Sequence, residues 1–461
     1  MLAEPLVDAK DLRALKPELD RFLDTYAPLF GREQNAGHAR VFVQGLLGGG
    51  ERRNAENIAE AVDGPPVRTL QAFLATGAWS DAALLGRMRT DLLAGLADDD
   101  AVVNADETGF PKKGTKSVGV KRQYSGTLGR TDNCQVGVFL NYASTRGHAF
   151  LDRRLYVPEE WATDADRRAE AGVPEAVVFR TKPQLALEMV AAAVEAGVPF
   201  RWVGGDGVCG DNPTFVQGVR ALGKWYVVDT SADARVWTEE PRVIPPSERR
   251  QPPRGRTPTR PQVLGTARRV DEVVAALPAT AWRRASVGEG SQGPRWYEYA
   301  EVPVWFREGK VPGPPERLLA RRSLGQAAEV KYHRSNAPAA IPLAKLAAVR
   351  GLRWTIEEDI QTGKGECGLD EYETRGWVGW HHRTALSLLA LAFLVLQKRR
   401  LGEKTRRADG ARGAGGPASP AGRAGVGRGR DPEVVPVATR AKPPRGGESP
   451  QAPPRRTAKA K

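Results

Sequence analysis

Cysteine is scarce in this chain of 461 residues, which contains only Cys134, Cys209 and Cys367. The number is odd and the three residues lie far apart, so the sequence predicts neither a disulfide framework nor a zinc site. A reduced compartment inside the cell fits such a chain.

Long apolar runs are absent as well. The most apolar stretch, TALSLLALAFLVLQ at residues 384–397, is too short to span a bilayer, and no signal-peptide pattern opens the chain. The glycine-rich GGGERR at residues 48–53 lacks the Lys-Ser/Thr pair of a phosphate-binding loop, which excludes nucleotide hydrolysis of that type. We therefore expect a soluble cytoplasmic protein without a membrane partner.

Positive charge, in contrast, is abundant and unevenly distributed along the chain, whose formal net charge is +14. Residues 401–461 contain 14 Lys and Arg against 5 Asp and Glu, a net charge of +9, in a stretch rich in Gly, Pro and Ala. Because this composition cannot bury enough apolar surface to fold, we predict a disordered basic tail. The tail either binds a polyanion such as nucleic acid or only keeps the chain end in solution.

The apolar residues of positions 1–93 recur at helical spacing, which predicts an N-terminal helical region. Two of its segments, NAENIAEAV and VRTLQAFLAT, are separated by the break DGPP and resemble a helix–turn–helix pair. This pair is either a DNA-binding element or an ordinary helical hairpin with a charged face. Its candidate DNA contacts are Arg52, Arg53 and Arg68.

Residues 94–400 are predicted to form an α/β domain. Strand-like segments come first and then alternate with helical ones, which indicates a mixed sheet flanked by helices. Residues 230–340 interrupt that alternation with further strand-like segments, so we expect a β-rich insertion there. Helical spacing returns at about residue 341 and continues to residue 399.

Two aspartates directly follow apolar, strand-like segments. Asp106 follows DAVVNA, and Asp206 follows FRWVGG. Such folds tend to place their sites at strand ends, and carboxylate oxygens are the ligands that Mg²⁺ prefers. Either residue could instead be a simple turn residue.

A third group of charges lies in RWTIEEDIQTGKGE, residues 353–366. At 100° per residue, Arg353, Glu357 and Lys364 share one stripe of a helix, whereas the two acidic residues after Glu357 point elsewhere. Taken alone, Arg353 and Glu357 form an ordinary i,i+4 salt bridge worth a few tenths of a kcal/mol.

In combination, these features resemble the DDE transposases of bacterial insertion sequences, in the group marked by Tyr-x2-Arg-x3-Glu-x6-Lys. Arg353, Glu357 and Lys364 match the last three members, whereas Arg350 replaces the tyrosine. The stretches ADETGFPKKGTKSVGVKRQYSGTLGRTDNCQVGVF and WVGGDGVCGDN resemble the regions around the first and second catalytic aspartates of that family. The resemblance covers roughly residues 30–400.

The resemblance implies a ribonuclease H-like catalytic fold and a catalytic triad of Asp106, Asp206 and Glu357. The triad would bind two Mg²⁺ ions, for which Mn²⁺ can substitute. Arg353 and Lys364 would contact DNA phosphates. The implied partners are double-stranded DNA, both terminal inverted repeats and target, and a second copy of the chain in the end complex. Such a protein would be associated with the nucleoid.

Lys112 and Lys113 follow the first aspartate closely and are further candidates for phosphate contacts, although a solvated turn explains them equally well. The implied activity is cut-and-paste DNA transposition. Two alternatives remain open at this point: a metal-dependent nuclease that cuts without joining, and a DNA-binding regulator derived from a transposase.

Overall fold

The computed structural model of the chain describes residues 8–50, 52–62, 64–249, 257–290, 293–325 and 329–413. Contacts divide the chain into two units, Met1–Gly410 and Ala411–Lys461, and only residues 411–413 of the second unit are described. Most of the predicted basic tail therefore lies outside the described residues.

The described N-terminal part is helical, as its apolar spacing predicts. Side chains of Asp8, Asn54 and Ser80 accept hydrogen bonds from backbone N–H groups and so begin three of its helices. A 3-10 turn at Ala27–Phe30 follows the first helix. The helices are α1 (Ala9–Tyr26), α2 (Glu33–Leu47), α3 (Ala55–Ala61), α4 (Val67–Thr76) and α5 (Asp81–Leu96).

One sheet of twelve strands forms the centre of the described fold, and two further short strands, Val243–Ile244 and Gln262–Val263, pair separately. The strands are β1 (Val102–Pro111), β2 (Lys121–Ser125), β3 (Arg130–Ser144), β4 (Gly147–Leu155), β5 (Trp202–Gly205), β6 (Trp225–Thr230), β7 (Arg235–Trp237), β8 (Val243–Ile244), β9 (Gln262–Val263), β10 (Arg268–Arg269), β11 (Arg283–Gly290), β12 (Gly293–Glu308), β13 (Val311–Arg322) and β14 (Val330–Ser335). The order is β10-β7-β12-β13-β14-β6-β5-β1-β3-β2, with β4 beside β3 and β11 beside β12.

This sheet is mixed, as predicted. β1, β5 and β6 run parallel, and the other pairings are antiparallel. The predicted insertion, residues 230–340, is rich in strands, and these strands continue the sheet because β14 pairs with β6. The alternation of residue types could not show this continuity, since it does not reveal which strand pairs with which.

Helices cover both faces of the sheet. Ala105 and Val138 lie near Ala186 of one helix, whereas Asn141 contacts a helix on the opposite face. The remaining helices are α6 (Glu159–Ala162), α7 (Ala165–Ala171), α8 (Lys182–Glu195), α9 (Gly207–Gly210), α10 (Pro213–Ala221), α11 (Val270–Ala275), α12 (Leu343–Gly351), α13 (Trp354–Cys367) and α14 (Trp377–Gly413).

The segment Trp377–Lys404 of α14 is long and apolar enough to cross a membrane by composition, but 78% of its most apolar window is buried inside the fold. It is therefore a core helix. It packs against the N-terminal helices, and the rings of Phe22 and Phe393 lie 5.4 Å apart.

The prediction that disorder begins at residue 401 is wrong, because α14 continues to Gly413. Contacts with α1 explain the extension. Arg400 lies 2.5 Å from Glu18, and Lys404 lies 2.9 Å from Asp11. Basic residues of α14 thus pair with acidic residues of α1. Local composition does not predict these pairs, because the partners lie far apart in the chain.

Four charged side chains lie where the insertion strands join the rest of the sheet. Arg334 Nε donates to Glu316 Oε2 at 2.8 Å, and Arg220 Nη2 donates to Glu308 Oε2 at 2.6 Å. Arg220 also donates to Glu316 at 2.9 Å, so the four groups form one network. Glu316 and Arg334 are buried. The network joins α10 to β12, β13 and β14.

We expect Glu316→Ala to destabilise the fold by about 3–5 kcal/mol, because it leaves two arginines in a buried place with one carboxylate fewer. The free energy of unfolding in urea measures this loss. The matched control is Glu170→Ala, which removes the exposed pair between Glu170 and Lys116. It should cost no more than about 1 kcal/mol. Equal losses for both variants would contradict a structural role of the buried network.

Candidate active site

Parallel pairing of β1 with β5 brings Asp106 and Asp206 to the same edge of the sheet. The pairing ends at Asn104 and Gly204, and each aspartate lies two residues further along. The expectation that Asp106 ends its strand is wrong, because β1 continues to Pro111 through its pairing with β3. Asp206 follows β5 directly and accepts a hydrogen bond from the Cys209 N–H at 3.2 Å.

The presence of glycine at position 204, two residues before Asp206, has a steric explanation. A Cβ atom on Gly204 would lie 2.1 Å from Asn104 Oδ1, so any other residue would force the Asn104 side chain to move. The close approach of β1 and β5 at this point keeps the two aspartates together.

Helix α13 adds Glu357 to this edge. Arg353 Nη1 donates to Asp106 Oδ2 at 3.0 Å, and Arg353 Nη2 donates to Glu357 Oε1. The i,i+4 pair that the spacing predicts is therefore present, but the same guanidinium also binds a carboxylate of the sheet. The side chains of Arg353 and Asp106 are 15% and 16% exposed, which makes this a partly buried bridge.

Negative charge accumulates at this edge. Burial raises the pKa of Asp106 to about 6, Arg353 opposes that shift, and the carboxylates of Asp206 and Glu357 add to it. Burial also raises the pKa of Asp206. Burial alone would lower the pKa of Arg353, but the carboxylates of Asp106 and Glu357 hold it above its usual value. Carboxylates crowded in this way favour a bound cation.

A buried polar network fixes the rotation of α13, and sequence analysis missed it. Asn104 Nδ2 donates to Asn141 Oδ1 at 2.9 Å, and Asn141 Nδ2 donates to Asp359 Oδ2 at 3.0 Å. His148 Nδ1 lies 2.8 Å from Asp359 Oδ1. Asp359, 2% exposed, is thus held by β3 and β4, and this leaves Glu357 on the side of the aspartates.

The departure from the family signature, Arg350, has a structural explanation. Its Nε and Nη2 donate to the two carboxylate oxygens of Asp229 at 2.7 and 2.8 Å. His333 Nδ1 lies 2.7 Å from the same carboxylate. Burial alone would raise the pKa of Asp229, but His333 and Arg350 hold it well below its usual range. Arg350 is therefore a buried partner of the sheet. The clue in the sequence was KWYVVDT, a third strand with an acid near its end.

The predicted lysines occupy three different environments. Lys364 Nζ donates to Thr127 Oγ1 at 2.9 Å and lies near the edge of the sheet. Lys113 is exposed. Lys112 Nζ donates to the Tyr372 carbonyl at 2.9 Å and lies 3.4 Å from the centre of that residue's ring. The described position of Lys112 is thus a packed one, in which its ammonium is not available to a phosphate.

The three predicted arginines of the N-terminal region also differ. Arg68 is exposed and forms no ion pair with any residue that the structure describes. Arg52 lies 4.0 Å from Glu373. The side chain of Arg53 is only 12% exposed and lies 3.8 Å from Glu371, so it packs between the N-terminal helical region and the segment that joins α13 to α14.

The donor set of Asp106, Asp206 and Glu357 suits a divalent cation in its chemistry, because all three ligands are carboxylates. In the part of the chain that the structure describes, no three His, Cys, Asp or Glu side chains are grouped closely enough to hold one metal ion. At this edge, the guanidinium of Arg353 pairs with both Asp106 and Glu357.

Comparison with known proteins agrees with these features. The sequence profile of a family described as DDE superfamily endonuclease matches residues 25–294, a range that contains Asp106 and Asp206 and ends before α13. The chain is 30% identical over 213 residues to a probable transposase for insertion sequence element IS701 from Microchaete diplosiphon. That match spans 46% of this chain and 53% of the relative, about half of each.

Among solved structures, the chain is similar to a piggyBac transposase in a synaptic complex with hairpin DNA, determined by cryo-electron microscopy. The TM-score is 0.35 at 11% identity, and the alignment covers 81% of this chain and 70% of the other.

The packed position of Lys112 predicts a pH dependence of stability. Burial lowers the pKa of Lys112 to about 7. Above pH 7 the folded protein loses this proton, whereas the unfolded chain keeps it up to about pH 10.4. The unfolded state then binds more protons, so this group makes the folded state more stable as the pH rises from about 7.

We expect the stability of the wild type relative to Lys112→Met to increase by about 1 kcal/mol per pH unit between pH 7 and 9. Urea unfolding at several pH values measures this slope. Lys113→Met is the matched control and should show no such slope, because Lys113 is exposed. Parallel pH profiles for the wild type and Lys112→Met would contradict the burial of this ammonium.

Proposed function

The chain belongs to the DDE superfamily of endonucleases, and on this basis we propose that it is the transposase of an insertion sequence, cutting the ends of its element and joining them to a target. The observation that carries the proposal is the group of Asp106, Asp206 and Glu357 at one edge of the sheet. The likeness to the probable IS701 transposase supports it.

In this proposal Asp106, Asp206 and Glu357 hold divalent cations, Mg²⁺ or in its place Mn²⁺. Two bound cations would activate the attacking oxygen, first of water and then of a 3′-hydroxyl, and stabilise the leaving oxygen. The protein's own contribution is to hold three carboxylates together and to exclude bulk water from the partly buried edge. Arg353 and Lys364 hold the DNA phosphates beside them.

The catalytic domain has a ribonuclease H-like fold in this proposal, extended by the insertion strands, and α3 and α4 contact the terminal inverted repeats. The basic tail adds affinity for DNA of any sequence through its net charge of +9. Joining two ends calls for two copies of the chain in the end complex. The protein acts in the cytoplasm, at the nucleoid. A nuclease that does not join, or a regulator without chemistry, would differ in an assay that follows both cleavage and joining.

We expect Glu357→Gln to abolish cleavage of DNA that contains the element ends, with a loss of several orders of magnitude in Mg²⁺, because a metal ligand is lost. Folding and DNA binding should persist, since the shape of the side chain is nearly unchanged. The matched control is Glu358→Gln, whose carboxylate is 37% exposed and lies 3.6 Å from His148. It should retain most activity.

Normal cleavage by Glu357→Gln together with loss of activity in Glu358→Gln would contradict the assignment of the third ligand. Asp359→Asn is unsuitable as a control, because Asp359 is buried and holds Asn141 and His148. Loss of activity in that variant would not distinguish chemistry from folding.

We expect Arg68→Ala to weaken the binding of end DNA and to reduce the slope of log K against log salt by about 1, the effect of losing one phosphate contact. Binding of the full-length chain to end DNA and to scrambled DNA at several salt concentrations measures both quantities. Arg21→Ala is the control, because Arg21 is an exposed arginine of α1 outside the α3–α4 pair. Identical salt slopes for Arg68→Ala and the wild type would exclude a phosphate contact at α4.

A further inference from the structure

The guanidinium of Arg353 lies between carboxylates that the proposed function assigns to a divalent cation. It is the only described side chain that donates hydrogen bonds to both Asp106 and Glu357, two of the three carboxylates that the proposed function assigns to the divalent cations. The two terminal nitrogens of Arg353, Nη1 and Nη2, both donate to carboxylates of the site.

The hydrogen bonding of this arginine is incomplete in that place. Arg353 Nε is buried and forms no hydrogen bond to any part of the chain that the structure describes. A buried donor without a partner is unfavourable, because it has lost its hydrogen bonds to water. The bridge to the two carboxylates therefore leaves one donor of the planar set unused.

Arg350, three residues earlier, provides the contrast. It binds both oxygens of Asp229 in a bidentate pair and is 7% exposed. One arginine of this segment is therefore held rigidly by a single carboxylate. The other is divided between two carboxylates that belong to different elements, β1 and α13.

From these contacts we propose that Arg353 is an exchangeable internal cation. While no divalent cation is bound, its guanidinium neutralises Asp106 and Glu357 and keeps the carboxylates together. When a divalent cation binds these carboxylates, the guanidinium leaves them and becomes available to a DNA phosphate. This inference rests on the proposed function, because it takes Asp106 and Glu357 as ligands.

The exchange has a thermodynamic consequence. Arg353 competes with the divalent cation in the absence of DNA and so weakens its binding. A DNA phosphate that binds the released guanidinium removes the competitor, and therefore each ligand strengthens the binding of the other. The chain would then bind metal ions tightly only where DNA is in position to be cut.

The test is the affinity of the full-length chain for Mn²⁺ without DNA, measured by the electron paramagnetic resonance signal of the free ion. We expect Arg353→Gln and Arg353→Ala to bind Mn²⁺ about 5- to 150-fold more tightly than the wild type, the usual range of such coupling. Arg21→Ala is the control and should leave the affinity unchanged, since Arg21 is exposed on α1 and its ion pair is with Glu18 rather than with these carboxylates. Thermal unfolding verifies that each variant is folded.

The outcomes separate the inference from the proposed function. Mn²⁺ affinity that is equal or weaker in both folded Arg353 variants overturns the exchange. Glu357→Gln should weaken Mn²⁺ binding if the proposed ligand set is correct. If Glu357→Gln leaves the Mn²⁺ affinity unchanged, the ligand assignment fails. If it weakens binding while the Arg353 variants show no gain, only the exchange fails.

Discussion

Three carboxylates gathered at one edge of a sheet repel one another, and the guanidinium of Arg353 offsets that repulsion in the described fold. It binds Asp106 of β1 and Glu357 of α13, two residues 251 positions apart in the numbering of the chain. Burial, and to a smaller extent the neighbouring carboxylates, raises the pKa of Asp106 despite this bridge. Much of the surrounding structure can be understood as support for this crowded arrangement.

That support has two parts, one on each side of Arg353. Asn141 and Asp359 fix the rotation of α13 against β3, so that Glu357 is turned toward the aspartates. Arg350 and Asp229 fix α12 against β6. Asn141, Asp359 and Arg350 are buried and Asp229 is 24% exposed, so solvent screens these contacts less than it screens an exposed ion pair. Arg353, between them, has a buried Nε that forms no hydrogen bond to any described residue.

The sequence predicted a good part of this arrangement. The strands around Asp106 and Asp206, and the stripe of Arg353 and Glu357, follow from residue periodicity, and the order of the elements indicates a mixed sheet. The bridge from Arg353 to Asp106 could not be predicted, because a helical wheel describes only how the residues of one helix lie relative to one another. The burial of Lys112 and the role of Arg350 depend on long-range packing in the same way. So does the continuation of α14 past residue 401, which depends on the acids of α1.

In the proposed function, Asp106, Asp206 and Glu357 are the ligands of the divalent cations at which DNA is cut. The most direct measurement is anomalous diffraction at the manganese edge from crystals of the full-length chain with Mn²⁺ and end DNA. We expect anomalous density in contact with these three carboxylates, and Arg353 turned from Asp106 toward a DNA phosphate. Manganese bound elsewhere, with Arg353 still bridging Asp106 and Glu357, would contradict it.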